Sequence, residues 1–368
     1  MKSNKKIILC VLLIAVSIIS LILINTNTNK SFKYKGSTIA LTVDGNSANS
    51  FPRNGKYNVT VNCDNAKGRW NPKTWKLEIT KITGTVTCEV SFNSNVNNLT
   101  TIVNTKATRD ENGKRYEGKN PDNYIWFNDE LWRIIGNIPV CLESGCSTTE
   151  NRVKIIRNDS IGYIVYNQTD YSSSSTLTWL GSNIQNLLNT CYLGKTSSCD
   201  SYCYAFYSAP TFIAKGTCDY SSDGIDATNF YGKMVEDVYF NVGAGDSTYK
   251  TAANYYTLEI ATHATSASKI GLMYASDWGY AIEGFSKVLG KDGSPQNSSD
   301  KNWLFSNGFE WTMSAYSSSN LLYVAREGFL YGGSASTGRS IRPVLYLKSN
   351  VYVVSGTGSK VDPYRIGT

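Results

Sequence analysis

Two glycines near the C-terminal end have the spacing of a nucleotide-binding loop. The stretch GGSASTGRS, residues 332–340, reads G-x-x-x-x-G-R-S from Gly333, whereas a phosphate loop has lysine where Arg339 stands. Such a loop lies between a strand and a helix, because the helix N-terminus supplies N–H groups to the phosphates. Here the following residues, IRPVLYLKS, have the composition of a strand, and Pro343 argues against a helix interior. We therefore predict a strand–loop–strand segment that binds no nucleotide.

Few other side chains are placed for catalysis. His263 is the only histidine, and without it the chain has no Ser–His or Cys–His arrangement. Carboxylate pairs can hydrolyse glycosidic bonds, but no spacing singles out a pair among the candidates Glu259, Asp277, Glu283 and Glu310. The last three are also spaced too loosely to predict a calcium site. We predict no catalytic residue, metal or cofactor, and favour a protein that is not an enzyme.

The cysteines predict disulfides. Besides Cys10 there are eight, an even number that in an exported chain indicates up to four bonds. Cys63 and Cys88 each continue the inward face of an alternating strand, so we predict that they pair. Cys141 and Cys146 are expected to close a short loop. The remaining four cysteines allow three pairings. The chain has no C-x-x-C pair, so a zinc site is not indicated. These four are Cys191, Cys199, Cys203 and Cys218.

The N-terminal segment predicts the location. Three lysines precede an uncharged run from Ile7 to Ile24, whose 18 residues span about 27 Å as a helix, close to a hydrocarbon core. We favour an uncleaved signal anchor in residues 1–24, with the N-terminus in the cytoplasm and the rest extracellular. A cleaved signal peptide is the alternative, although no small-x-small site precedes NTNTNK.

The charge balance argues against polyanionic partners. After the three lysines of the anchor are set aside, 33 basic and 29 acidic side chains remain, a balance of +4. This balance is too weak to indicate nucleic acid. The chain has 25 tyrosines and 30 glycines and is rich in Ser, Asn and Thr, a composition typical of loop-rich extracellular β proteins.

The elements divide into two domains. After a linker at 25–35, alternating stretches with Asp-Gly, Asn-Gly and Thr-Gly turns predict a small β module at 36–95, in which Trp70 and Trp75 pack on the sheet rather than bind sugar. A polar connector at 96–112 leads to a domain at 113–367. This domain opens with a hairpin whose turn is Asn128-Asp129. The stretches TWLGSNIQNLLNT and STYKTAANYYTLEIATHATS predict helices.

The larger domain resembles an uncharacterised domain family of exported proteins in Gram-positive gut-type bacteria. The stretches RYEGKNPDNYIWFNDELWRIIG, KIIRNDSIG, IGLMYASDWGYA, EWTMSAYSSSN and RPVLYLKSNVYVVSGTGSKVDPYRI carry the resemblance. The small module also looks like one that often precedes that domain. The order of these motifs is similar to the C-type-lectin-like fold, which formylglycine-generating enzymes and bacterial adhesins share. Those enzymes hold copper with a C-terminal cysteine pair, and here the last cysteine is Cys218.

The resemblance implies a binding face in the loops near the C-terminal end, where a rigid scaffold presents variable residues. For Trp278, Trp311 and Arg342 a structural role in the core is the competing interpretation. Tyr and Arg are enriched at interface hot spots. The expected ligand-binding side chains are Trp278, Tyr280, Tyr316, Ser318, Asn320, Arg326, Tyr331 and Arg339.

These observations predict an α+β protein: a C-type-lectin-like domain, preceded by a small all-β sandwich-like module and an N-terminal transmembrane helix. The expected function is binding or adhesion at the cell membrane, with the bulk extracellular and with a glycan or a protein as ligand. The alternatives are a carboxylate-dependent hydrolase of surface glycans and a purely structural envelope component.

Overall fold

The computed structural model describes most of the chain beyond the N-terminal segment. The described residues are 37–44, 46–52, 57–94, 97–167, 177–208, 211–214, 218–243, 245–261, 267–290 and 300–367, with the dipeptides Ile8–Leu9 and Ile22–Leu23. These dipeptides pair as antiparallel strands. The rest of the predicted anchor and His263 lie outside this set. Within it, no helix has both the length and the apolar character needed to cross a bilayer.

The chain forms two compact units, Met1–Asn97 and Asn98–Thr368, and is mainly β with few helices. The first unit contains two sheets beyond the dipeptides: a four-stranded one of order β4-β3-β8-β5 and the hairpin β6–β7. Its strands are β1 (Ile8–Leu9), β2 (Ile22–Leu23), β3 (Ser37–Val43), β4 (Asn46–Ser47), β5 (Tyr57–Asp64), β6 (Lys67–Asn71), β7 (Lys76–Thr80) and β8 (Val86–Ser94).

The core of the first unit forms where alternation predicts it. Cys63 lies directly opposite Cys88 on the neighbouring strand, with 4.1 Å between their Cα atoms, and the predicted disulfide is confirmed. Phe92, four residues after Cys88 on β8, packs edge-on against Trp70 with 4.7 Å between the ring centroids. Trp70 is therefore a core residue, as predicted. The strand β6 that carries it was not predicted.

The second unit begins with a helix that sequence reasoning placed in a connector. Leu99–Lys106 forms a helix whose Leu99 and Val103 are buried, and Asn98 caps it by accepting a hydrogen bond from the Thr100 N–H. The connector 96–112 is thus corrected: from Asn98 onward these residues belong to the larger unit. The segment is rich in Asn and Thr, but Leu99 and Val103 are four residues apart, so both lie on the helix face that packs on the core.

Two sheets dominate the second unit. The ten-stranded sheet has the order β18-β23-β14-β13-β12-β25-β24-β9, with β11 on β13 and β10 on β11; the five-stranded sheet has the order β15-β22-β19-β20-β21. The hairpin β16–β17 is separate. The strands are β9 (Asn97–Asn98), β10 (Arg109–Asp110), β11 (Lys114–Arg115), β12 (Tyr124–Phe127), β13 (Glu130–Cys141), β14 (Thr149–Arg157), β15 (Gly162–Val165), β16 (Tyr204–Ser208), β17 (Thr211–Ala214), β18 (Ile270–Gly271), β19 (Glu310–Ala315), β20 (Asn320–Val324), β21 (Leu330–Ser334), β22 (Gly338–Ile341), β23 (Val344–Leu347), β24 (Tyr352–Ser355) and β25 (Tyr364–Gly367).

The helices are short, and α2 (Asn183–Asn186) begins at a capping residue and buries its apolar side chains. Ser182 caps the predicted amphipathic helix by accepting a hydrogen bond from the Gln185 N–H at 3.1 Å, and Ile184 and Leu187 are fully buried. The α-helices are α1 (Leu99–Lys106), α2 (Asn183–Asn186), α3 (Ala252–Ala261) and α4 (Ala275–Tyr280); a π-turn Leu187–Tyr192 continues α2, and 3₁₀ turns lie at Asp200–Tyr202 and Gly232–Met234.

The first hairpin and the disulfides complete this unit. Asn128 and Asp129 have φ of 53° and 59°, the left-handed pair that a two-residue turn between β12 and β13 requires. Cys141–Cys146 is confirmed. The pairings that the sequence left open are Cys191–Cys199 and Cys203–Cys218.

Candidate functional site

The stretch GGSASTGRS connects two strands, as predicted. It runs from the end of β21 through a turn into β22, so no helix N-terminus follows it. Its glycines serve packing: a Cβ on Gly332 would meet the ring of Tyr316, and one on Gly333 would lie 2.7 Å from Nη2 of Arg339. Bare backbone at these positions leaves room for large neighbouring side chains.

Arg339 lies over the aromatic ring of Tyr323. Its Cζ is 3.4 Å from the centroid of Tyr323 and 4.8 Å from that of Trp311, so the guanidinium reaches from β22 across β19 to β20. Gly333 on β21 lines the same space. Arg339 and Tyr323 are both half-buried.

More aromatic rings extend this surface. Tyr331 lies directly opposite Tyr323 on the neighbouring strand, and the two rings stack with 6.0 Å between centroids and 21° between planes. Phe309, just before β19, has its centroid 6.0 Å from that of Tyr323. Tyr323 was not among the predicted residues, because only the pairing of β20 with β21 sets it beside Tyr331.

A second arginine completes the cluster. Arg326, exposed in the turn between β20 and β21, has its Cζ 5.0 Å from the centroid of Phe309, and that of Arg339 is 5.8 Å from the same ring. We call the five side chains Phe309, Tyr323, Arg326, Tyr331 and Arg339 the Arg–aromatic face.

The two arginines of this face have no acidic partner. Among the described residues, no carboxylate oxygen lies within 4.0 Å of a nitrogen of Arg326 or Arg339, including that of the exposed neighbour Glu327. Nε of Arg339 is buried without a hydrogen-bond partner. Burial lowers the pKa of Arg339, and Tyr323 acts in the opposite direction. The guanidinium of Arg339 is therefore partly desolvated, and its Nε donor is unused.

The other predicted loop residues lie elsewhere on the hairpin. Tyr316 packs with its ring centroid 5.1 Å from that of Tyr249 and faces Gly332, whereas Arg339 faces Gly333. Neighbouring strand residues point to opposite sides of a sheet, so Tyr316 does not share the Arg–aromatic face. Asn320 begins β20 and Ser318 precedes this strand, whereas Arg326 follows its other end. The predicted set is therefore split between two surfaces.

Two of the predicted ligand-binding residues are interior, and the prediction is corrected for both. Trp278 is fully buried and packs against Phe305, with 6.0 Å between ring centroids. Tyr280 is 1% exposed, and its hydroxyl accepts a hydrogen bond from Asn112 at 2.6 Å. All residues of their helix α4 are buried.

Asp277, a candidate catalytic carboxylate, is part of a buried ion network. It accepts a hydrogen bond from Arg115 at 2.8 Å and another from Lys154, and all three side chains are at most 2% exposed. Burial alone would raise the pKa of Asp277, but Lys154 and Arg115 outweigh it, so the pKa is lowered. The Arg115 guanidinium also lies 4.6 Å from the ring centroid of Tyr280. The negative charge of this carboxylate is therefore already paired with two buried positive charges.

The other candidate carboxylates are also committed or exposed. Glu310 forms a buried bidentate pair with Arg342 at 2.7 and 3.0 Å. Glu259 accepts hydrogen bonds from Ser276 and Ser314 in the interior. Glu283 is exposed. In the described part of the chain, no three His, Cys, Asp or Glu side chains are grouped to hold a metal ion.

The comparisons with known proteins add no relative. No family model matches the chain, and neither a curated protein nor a solved structure is significantly similar to it.

Proposed function

We propose that this chain is a membrane-anchored extracellular binding or adhesion protein whose Arg–aromatic face contacts the ligand. The observation that carries this proposal is Arg339, a half-buried guanidinium stacked on Tyr323 that has no acidic partner among the described residues. Arginine and tyrosine on a rigid support lose little conformational entropy on binding and are enriched at hot spots. The extracellular location rests on the N-terminal lysines and the apolar run, and the four disulfides agree with it.

We further infer a C-type-lectin-like fold for the larger unit. The order of its elements supports this: an opening hairpin β12–β13, short helices in the middle, and β19 to β25 in the last third of the unit. The last strand, β25, pairs in parallel with β12, which brings the ends of the unit together. In such a scaffold the hairpin β20–β21 and the loops around it present the binding residues.

The hydrolase alternative has no observation in its favour. Three of its four candidate carboxylates, Glu259, Asp277 and Glu310, are buried with hydrogen-bond or ion-pair partners, and a glycosidase needs two carboxyls that face substrate.

The test is a binding screen with the full-length chain in detergent, on a glycan array and on surface-protein extracts. The test variant carries Tyr323→Ala and Tyr331→Ala, and the control is Phe230→Ala, an aromatic side chain that is 51% exposed away from this face. We expect saturable binding that the test variant loses and the control retains, with both variants still folded at the temperature of the assay. Binding that survives the double change would refute the assignment of the face.

A further inference from the structure

We propose that the Arg–aromatic face binds a sugar that carries a carboxylate, with the carboxylate at Arg339 and the sugar ring beside Tyr323 and Tyr331. This inference rests on the proposed function and names the ligand class for the same face. It starts from an imbalance of charge. Two guanidinium groups flank one ring, that of Phe309, and neither has an acidic partner among the described residues.

The geometry of Arg339 favours a carboxylate over a single-atom anion. Its Cζ lies 3.4 Å from the centroid of Tyr323, so the guanidinium is held against this ring, while the Arg339 side chain is only half-buried. A carboxylate presents two oxygens that match this fork, and the charge-assisted pair is stronger where water is partly excluded. Nε itself is buried, so the N–H groups that receive the carboxylate are those of the two terminal nitrogens of the guanidinium.

The arrangement of the rings favours a sugar over a polyanion or a protein. Tyr323 and Tyr331 form one stacked, half-buried pair beside the charge, a platform for the apolar C–H face of a sugar ring. Nucleic acid would need a longer basic stripe, and the ectodomain balance of +4 does not provide one. A stable protein interface buries about 800 Å² on each partner, much more than five side chains cover.

The site requires a glycine at position 333. A Cβ there would lie 2.7 Å from Nη2 of Arg339 and 2.9 Å from Cε1 of Tyr323. Any larger residue must therefore push the guanidinium out of its position over the ring. The second glycine of the GGSASTGRS stretch thus keeps the anion-binding fork in place.

The experiment compares acidic and neutral versions of the same glycan on the full-length chain. The probes are a glucuronate-terminated and a sialic-acid-terminated oligosaccharide, each paired with its carboxyl-reduced form. The variants are Arg339→Gln, Arg326→Gln and the conservative Arg339→Lys. Arg365→Gln is the matched control. Like Arg326, Arg365 is exposed and lies near an aromatic ring, with its Cζ 4.5 Å from the ring centroid of Trp126, away from this face.

We expect the reduced probes and Arg339→Gln each to weaken binding by about tenfold or more, the value of one charge-assisted hydrogen bond. Arg326→Gln should weaken it less, and Arg365→Gln should not change it. The two acidic probes then separate a uronic acid from a sialic acid as source. Should Arg339→Gln unfold, as its melting temperature would reveal, Arg326→Gln and the reduced probes decide the question.

Two results would overturn the inference and leave the proposed function standing. One is equal affinity for an acidic probe and its reduced form. The other is binding to neutral glycans or to a protein that the Tyr323→Ala and Tyr331→Ala variant loses, while neither acidic probe binds. If no glycan and no protein binds, the proposed function fails with it.

Discussion

The guanidinium of Arg339 lies 3.4 Å from the ring centroid of Tyr323, although a whole strand separates the two backbones in the sheet. The side chain crosses β19 to make this contact. Its charge is therefore held close to the sheet, where burial strips part of its hydration. Among the described residues Arg339 has no acidic partner, and this is the basis on which we propose it as a ligand-binding group.

Arg339→Lys separates stacking from charge. Lysine keeps the positive charge but cannot lie flat on Tyr323 or present a planar fork. We expect ligand affinity to fall several-fold, with a loss of stability of no more than about 1 kcal/mol from the cation–π contact. Titration calorimetry with the best-binding ligand, together with thermal unfolding, measures both. Unchanged affinity would mean that charge alone suffices.

Alanine substitutions at the two adjacent glycines should have different effects. In Gly333→Ala the flexible end of Arg339 can move away, but the new methyl also lies 2.9 Å from Cε1 of Tyr323, so we expect weaker binding and a smaller loss of stability than in Gly332→Ala. In Gly332→Ala the new methyl meets the ring of Tyr316, which Tyr249 holds from the side, so the cost is overpacking of about 1–3 kcal/mol. Differential scanning calorimetry and a binding assay on both variants test this contrast. Equal effects on both properties would contradict it.

Asp277→Asn should be strongly destabilising. The change leaves Lys154 and Arg115 buried without a counter-charge, which costs about 3–5 kcal/mol. The control is Asp300→Asn, because Asp300 pairs with Lys119 in a bridge whose side chains are 74% and 66% exposed. Urea unfolding should show a large loss for the first variant and no measurable one for the second. A small loss at Asp277 would mean that water reaches the network.

Glu259 should make stability depend on pH. Burial raises its pKa from 4.5 to about 7, and the Ser276 and Ser314 hydroxyls that donate to it partly oppose the rise. The folded state thus keeps a proton that the unfolded chain releases near pH 4.5, so this contribution is fully present below pH 4.5 and is lost as the pH rises to about 7. The lost amount is about 3 kcal/mol. Urea unfolding of the wild-type protein and of Glu259→Gln, measured below pH 4.5 and above pH 7, should show this loss of stability only in the wild type. The same loss with pH in both proteins would contradict the prediction.

The disulfides should differ in their effect on stability. Cys63–Cys88 closes a sequence separation of 25 and Cys141–Cys146 one of 5, so chain entropy predicts losses of about 3.5 and about 2 kcal/mol on removal. Paired Cys→Ala variants, unfolded in guanidinium and followed by tryptophan fluorescence, test the order. Since Cys88 is fully buried, its cavity adds to the first loss. A larger loss for Cys141–Cys146 would contradict the entropy argument.

Sequence reasoning found part of the candidate site. It named Arg326, Tyr331 and Arg339, because arginine and tyrosine in C-terminal loops are typical of binding surfaces. It also included Trp278, which the structure buries. It missed Phe309, and it missed Tyr323, whose position beside Tyr331 depends on the strand pairing.

What the sequence determined by itself is local. The turn at Asn128-Asp129, the helix within TWLGSNIQNLLNT, the strand–loop–strand around GGSASTGRS and the Cys63–Cys88 pair follow from turn chemistry and from the period of two or 3.6 residues. The tertiary structure alone decided that Arg339 meets Tyr323, that Asp277 meets Arg115 and which of the later cysteines pair. These contacts depend on strand order and packing between distant segments, which no local periodicity encodes.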